Sequence, residues 1–371
     1  MSFNTYDELG QPADRLNDTM IGAVSGSINP FVAGMRRDEK NRAYQFTIVS
    51  SDVKAGADMA ERDAKRPSNT LYVPQDGKPV QLMHRIYVQD QGLTPKAGVE
   101  LPRPRMTLAN GTTVQGEDLC KSIIVKEHSL RDNRLTLRAT QQVLSLANSA
   151  TPNHPAFPTP KWTAFFNPQR TFAGVLEGTA FEWVRRLVGQ QRKGGFYSTL
   201  DNTYMYAYVD RRFGDALVLE GRAPTTPKTR NADPVMQVGQ LRYWSICKYR
   251  SLYDTAVDAC VYDEQAPLDS QGKYTIVFST PETRPSNARP ECGVAWRPWG
   301  IGDGVNNPNG GLVLLRNMLP APDFKQSIFA TQVEGTESEA LGPYYPRPSY
   351  ASKAAFETRG CPVTMKLLLK E

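Results

Sequence analysis

Large and small apolar residues alternate along Tyr204-Met205-Tyr206-Ala207-Tyr208-Val209. This is the period-two pattern of a strand with two distinct faces. A turn at Phe213-Gly214-Asp215 and a second apolar run, Ala216 to Glu220, follow it and predict a hairpin. Runs of the same kind stand at Met1 to Asp7, at Phe46-Thr47-Ile48-Val49-Ser50, at Leu82 to Val88 and at Tyr274-Thr275-Ile276-Val277-Phe278-Ser279. The middle of the chain has a different period. Phe172, Val175, Leu176, Ala180, Trp183, Val184, Leu187 and Val188 recur at three- and four-residue steps, which predicts a helix ended by Gly189, Gly194 and Gly195. A second helix is predicted from about Arg134 to Asn148, and prolines at 152, 155, 158 and 160 make an extended connector between the two.

The strand pattern repeats. Met1-Ser2-Phe3-Asn4-Thr5-Tyr6 and Trp244-Ser245-Ile246-Cys247-Lys248-Tyr249 both put Ser second and Tyr sixth after a large apolar residue. Downstream, the strand at Phe46–Ser50 answers the one at Tyr274–Ser279. Arg85 before Leu101-Pro102-Arg103-Pro104 answers Arg316 before Leu319-Pro320-Ala321-Pro322. Three pairs in one order predict two copies of one β unit, with insertions in loops, where they are tolerated. The strands at 204–220 have no counterpart ahead of Met1. The first copy is therefore expected to lack its opening hairpin, through an incomplete N-terminus or an edge filled by another segment.

The fold class that follows is mainly β: two related antiparallel β-sandwich or jelly-roll-like domains with a helical linking region. The boundaries are set at 1–118, 119–195 and 196–371. Phe3, Tyr6, Phe46, Ile48, Tyr206, Tyr208, Leu217, Leu219, Trp244, Ile246, Ile276 and Phe278 are expected to be buried. The length of 371 residues fits two domains, and 28 Gly and 28 Pro suit short, punctuated segments. A net charge of +6, with acidic residues interspersed, gives no domain-scale basic patch, so no nucleic-acid partner is expected. The cluster Arg185, Arg186, Arg192 and Lys193 reads as a solvated helix end. No apolar run is long enough to span a membrane, and no secretory signal is visible at the start.

Motifs for familiar chemistry are missing. There is no GxSxG, no GxxxxGK[ST] and no GxGxxG between strand and helix, and no cofactor is expected. His84, His128 and His154 form no metal-binding spacing, and no metal is expected. The Gly300–Gly311 loop is rich in oxygen donors but holds one carboxylate, Asp303, and reads as a turn-rich loop. Asp254, Asp258, Asp263 and Glu264 read as solvated hairpin charges. The five cysteines form no CxxC pair. Cys247 and Cys260 flank a strand-turn-strand segment, where a disulfide forms in an oxidising compartment and two buried thiols stand otherwise.

Arg242-Tyr243-Trp244-Ser245-Ile246 and Leu315-Arg316-Asn317-Met318-Leu319-Pro320-Ala321-Pro322-Asp323-Phe324 resemble uncharacterised bacterial proteins of the DUF1214/DUF1254 kind. The likeness is clearest over about 200–325. It implies a jelly-roll-like β fold and export to a periplasmic or extracellular location, and carries over no catalytic residue.

Two functions remain. One is a non-catalytic binding or surface protein for carbohydrate or a small apolar ligand, held by Trp296, Arg297 and Trp299, where indole faces stack on a ring and the guanidinium donates. The other is a cofactor-independent enzyme, a hydrolase or a cyclase/isomerase, with a site between the domains drawing on His84, Arg85, Tyr87, Arg316 and Asp303.

Overall fold

The structure, a computed structural model, describes residues 1–7, 10–52, 59–94, 100–122, 142, 145, 155–192, 195, 197–231, 233–251, 255–304 and 307–363. It is mainly β, built from several sheets in which antiparallel pairing dominates. The strands are β1 (Ser2–Tyr6), β2 (Pro12–Asn17), β3 (Thr47–Ser51), β4 (Thr70–Pro74), β5 (Gln81–Arg85), β6 (Arg105–Thr107), β7 (Thr113–Gln115), β8 (Thr163–Ala164), β9 (Asn202–Asp210), β10 (Ala216–Arg222), β11 (Leu241–Tyr249), β12 (Val257–Tyr262), β13 (Lys273–Ser279), β14 (Val294–Pro298), β15 (Gly310–Pro320) and β16 (Arg347–Ala351).

The C-terminal part holds a five-stranded sheet, β12-β11-β15-β9-β8, and a four-stranded sheet, β14-β13-β10-β16. Alternation along each strand sends one set of side chains to a shared core. Met205 and Val209 of β9, Trp244 and Ile246 of β11 and Leu315 of β15 meet Leu217 and Leu219 of β10 and Ile276 and Phe278 of β13. Trp244 lies on the ring of Tyr274 with centroids 5.3 Å apart. The N-terminal part holds a three-stranded sheet, β2-β1-β5, and a parallel pair, β3-β4. Phe3, Leu16, Ile21 and Leu71 form its core.

The two strand sets correspond in order, pairing and register. β1 lies between β2 and β5 as β11 lies between β12 and β15. Ser2 faces Arg85 across one pair, and Ser245 faces Arg316 across the other. Phe3 faces Leu16 where Ile246 faces Val261. The hairpin β1-β2 shifts register between Thr5 and Tyr6, and β11-β12 shifts between Lys248 and Tyr249, the same place in the repeat. The parallel pair β3-β4 sets Ile48 against Leu71, as β13-β14 sets Ile276 against Ala295.

Several sequence expectations need correction. β9 and β10 do not form a hairpin: after a turn at Arg211–Phe213 the chain leaves the five-stranded sheet and enters the four-stranded one. The helix expected over 172–188 is broken into a helix at Pro168–Ala173, a 3-10 turn at Gly174–Leu176 and a single turn at Trp183–Arg186. Only part of its apolar stripe is covered: Val175 is buried, while Ala180, Trp183 and Leu187 are exposed. The helix expected near 134–148 lies almost entirely outside the described residues. Ile48 is 43% exposed, and Phe46 and Tyr208 are half-buried, while the other nine expected core residues are buried. Arg185 and Arg192 are structural rather than solvated. Arg185 pairs with Glu177 and Glu334, and Arg192 lies 4.9 Å from the Phe166 ring centroid and donates to Thr203. Arg186 is exposed, and Lys193 lies outside the described residues.

Cys247 and Cys260 face one another across β11-β12 and are joined in a disulfide. A second disulfide joins Cys292 to Cys361, and Cys120 is a free, exposed thiol. Beside the first disulfide, Lys248 is fully buried. Its Nζ donates to Asp258 Oδ2 at 3.2 Å and to the Tyr249 carbonyl at 2.9 Å. Burial pulls this ammonium below the usual lysine range, against the opposing pull of Asp258. A Cβ on Gly311 would stand 2.3 Å from Lys248 Nζ, so only glycine leaves the ammonium its place. An Asp258→Ala variant strands a buried cation and is expected to lose about 3–5 kcal/mol of stability, measured by urea unfolding. A wild-type midpoint in that variant would show that the pair is not held as described.

Candidate functional site

The strand sets meet through the faces turned away from their own cores, and these faces are polar and aromatic. Ser2, Asn4 and Tyr6 of β1 are buried, as is Ser245 of β11. Arg85 donates to the Tyr6 hydroxyl at 2.8 Å and to the Tyr197 carbonyl. Arg316 occupies the corresponding place in the second set and reaches the Tyr249 hydroxyl at 3.5 Å. Its guanidinium lies 5.7 Å from the ring centroid of Tyr87 and 5.2 Å from that of Tyr204. Tyr87 also packs against Tyr243 at 5.9 Å.

Beside this seam opens a small cleft, continuous with solvent. Asn17, Tyr87 and Asp90 line it from the N-terminal part, and Asp201, Tyr243 and Asp263 from the C-terminal part. Asp201 is held from across the seam, accepting from Arg15 Nε at 2.7 Å and Asn17 Nδ2 at 2.9 Å, both through Oδ1. Its Oδ2 and the Tyr87 Oη are both shut off from solvent and have no hydrogen-bond partner. Such a group costs about 1–3 kcal/mol. Burial raises the Asp201 carboxyl above the usual carboxylate range despite Arg15, and burial also raises the Tyr87 phenol. Burial pushes Asp263 up to about 6, although its Oδ1 accepts the Glu264 backbone N–H at 2.8 Å. Glu264 is occupied: it accepts the backbone N–H groups of Arg230 at 2.7 Å and Asn231 at 3.0 Å. Arg37 pairs with Asp90 at 2.6 Å, and Arg242 with Asp18 at 3.4 Å.

The structure gathers Arg85, Tyr87 and Arg316 along the seam and separates them from His84 and Asp303. His84 neighbours Arg85 in an extended strand and so points to the opposite face. There it stacks on Phe3 at 4.5 Å, with burial pulling its pKa down. Asp303 lies in the loop before β15, where its carboxylate accepts the Asn307 backbone N–H at 3.0 Å. His128 and His154 lie outside the described residues.

The indole stacking site is not formed. Trp299 has no exposed surface and sits in the main core. Trp296 is half-buried; its Nε1 donates to Ser279 Oγ at 2.9 Å, and the Arg284 guanidinium covers its ring at 4.2 Å. Arg297 spends its donors on the Cys260 and Trp296 carbonyls and on Gln265. Residues three apart in extended chain face opposite ways, which separates the two indoles. The acidic cluster is likewise not solvated: Asp258 and Asp263 are buried, and Asp254 lies outside the described residues. Among the described residues no group of three His, Cys, Asp or Glu is placed to hold a metal ion, and no helix is long and apolar enough to cross a membrane.

Asp18 and Asp201 were not singled out from sequence, because their importance comes from contacts made far along the chain. Arg242 and Tyr243 do carry a signal, since they directly precede the Trp244–Tyr249 segment that answers Met1–Tyr6.

No family model and no curated protein matches this chain. In structure it is similar to a crystal structure of an uncharacterised protein from Burkholderia cenocepacia, with a TM-score of 0.45 and 12% identity, covering 95% of this chain and 70% of that one.

The raised Asp263 carboxyl gives a pH prediction. Unfolded, the group releases its proton near pH 4; folded, it holds it to about 6. Its contribution to stability is therefore complete below about pH 4 and is lost as pH rises through 6. Asp263→Asn is expected to gain stability relative to wild type between pH 4 and 7, by up to about 3 kcal/mol. Urea unfolding of both proteins at the two pH values checks this, and a constant difference would show that Asp263 titrates normally.

Proposed function

We propose that the protein is a non-catalytic binding protein whose ligand is a carbohydrate held in the cleft between the two strand sets. The observation that carries this reading is the lining: tyrosine rings, carboxyls and arginines contributed from both sides. A hydroxyl-rich ligand offers donors and acceptors to such a surface, and its ring faces suit tyrosine. A wholly apolar ligand would leave the same groups unsatisfied. In this reading the matching registers make the two sets copies of one sandwich unit of jelly-roll type. The cleft is the joint between copies. Export to an oxidising compartment belongs to the same proposal, supported by the two disulfides.

Asp90→Asn separates binding from folding. Its carboxylate lines the cleft and meets solvent, so the melting temperature is expected to change little. Affinity for the bound sugar, found by screening neutral and acidic oligosaccharides by calorimetry, is expected to fall about tenfold, the effect of about one lost hydrogen bond. Unchanged affinity in this variant, or no heat from any sugar, would remove the reading.

One observation favours a second reading, a hydrolase acting on the same ligand class. Two carboxyls of the cleft, Asp201 and Asp263, are held toward the protonated form by burial, as a general acid requires. Release of reducing ends from a bound oligosaccharide, abolished by Asp263→Asn, would replace binding by catalysis.

A further inference from the structure

The hairpin β11-β12 carries a buried charged pair that the hairpin β1-β2 lacks at the same place. Lys248 faces Ala259 and Tyr249 faces Val257, so Asp258 is the extra residue of a bulge. A bulge re-aims a side chain. Here it turns the Asp258 carboxylate onto the Lys248 ammonium, with Nζ 3.2 Å from Oδ2. In β1-β2, Thr5 faces Asp14 and Tyr6 faces Pro12, so Ala13 is the extra residue and Thr5 stands where Lys248 does. The bulge forms there without either charge. The pair in the second hairpin is therefore not a requirement of the strand geometry.

The chain packs tightly around the two groups. Lys248 has no exposed surface, and Asp258 is buried beside it. A Cβ at Gly300 would stand 2.2 Å from Asp258 Cγ, as one at Gly311 would crowd Lys248 Nζ, so bare backbone lies against both the carboxyl and the amine. The Trp299 ring centroid is 5.2 Å from Nζ. The Tyr249 carbonyl holds Nζ at 2.9 Å, and Arg250 Nε donates to the second carboxylate oxygen, Oδ1, at 3.2 Å. An ion pair in such a place carries the desolvation cost of both charges. Burial also draws the ammonium toward the neutral, nucleophilic amine. Condensation of the two groups to an amide removes both charges.

We propose that Lys248 and Asp258 are the partners of an intramolecular isopeptide bond. A proton passes from Nζ to Oδ2, and the freed lone pair on Nζ attacks Cγ. Negative charge gathers on Oδ1, where Arg250 Nε donates to it. The Cγ–Oδ2 bond then breaks. Oδ2 leaves as water, carrying the first proton and a second one from Nζ. One C–N bond replaces one C–O bond, the charges of the pair cancel, and no oxidant or cofactor takes part. The fold supplies the fixed approach of the two groups, which is the main need of such a reaction. The bond ties the strands already joined by Cys247 and Cys260, with a link that reducing agents leave intact.

The test is the intact mass of the folded full chain, measured after denaturation and reduction. The mass is expected to fall below that of the sequence by one water. Lys248→Met and Asp258→Ala are each expected to restore the full sequence mass. Asp258→Asn is expected to lose ammonia in place of water and to reach the same final mass as the reacted wild type. Trypsin then locates the link. Cleavage after Lys248 is expected to fail, and the peptides 243–250 and 251–273 are expected to stay joined once the Cys247–Cys260 disulfide, which spans the same two, has been reduced. A wild-type chain at its full sequence mass overturns the proposal. So does a loss of water that tandem mass spectrometry places outside these two peptides, or one that survives Lys248→Met.

Discussion

The structure depends on a row of charges taken out of water beside the joint between its strand sets. Asp201, at the entrance to β9, accepts from Arg15 of β2. The other end of Arg15 holds Asp63 at 2.7 Å, Asp63 holds Arg66, and Arg66 holds the buried Asp14 at 2.7 Å. Each member keeps its ion pair only while its neighbours stay in place. Desolvation offsets much of the attraction in such a row, so its main effect is on geometry: a displaced member leaves an unpaired buried charge. The row ties β2 both to the helix at Met59–Lys65 and to the C-terminal sheet.

The two strand sets solve one problem with different chemistry. In the first hairpin Asn4 faces Arg15; at the same register in the second, Cys247 faces Cys260. The second hairpin is locked to itself by a covalent bond. The first uses that position to reach outward, toward Asp63 and Asp201. A closed hairpin can stand in a complete core of two sheets. A three-stranded sheet with a small core needs help from its surroundings, and it obtains that help through Arg15. The joint is consequently polar, and the cleft beside it inherits a lining of charged and phenolic groups instead of the apolar surface usual in a small-molecule pocket.

Much of this was legible in the sequence, and what was not has identifiable causes. The Ser-to-Tyr spacing at 2–6 and 245–249, with Arg85 and Arg316 downstream, marked strands that do correspond in register, because one side-chain parity fixes which face each residue takes. The same parity separates Trp296 from Trp299, whose odd spacing places them on opposite faces. Phe172 to Val188 has the helical period, but Gly174 and Gly178 lie within it, and the 3-10 turn at Gly174–Leu176 breaks the run. The pairing of β9 and β10 with different sheets is not written in either strand, since a turn specifies reversal and not which sheet receives the chain. Ile48 is apolar in a good strand pattern and still exposed, because burial belongs to the neighbour that covers it. Asp201 is one acidic residue among many until Arg15, more than 180 positions away in sequence, is placed against it.

The repeated Ser-Arg-Tyr trio shows why the sets meet as they do. In each, the arginine faces the serine across a strand pair and reaches the tyrosine four residues beyond that serine. All three side chains project from the face opposite the apolar core. A guanidinium on that face cannot be left dry and alone, and a bare sheet carrying it would stay in water. Two such sheets brought together offer each arginine the aromatic faces of the other's surroundings: Arg316 lies against Tyr87 of the N-terminal part, and Arg85 reaches the carbonyl of Tyr197. Cation-aromatic contact and carbonyl acceptance are weak singly, but they offset part of the cost of a buried charge without adding a second one. A trio that is a surface feature on one sheet thus becomes an adhesive between two, and the cleft lies beside the joint it makes.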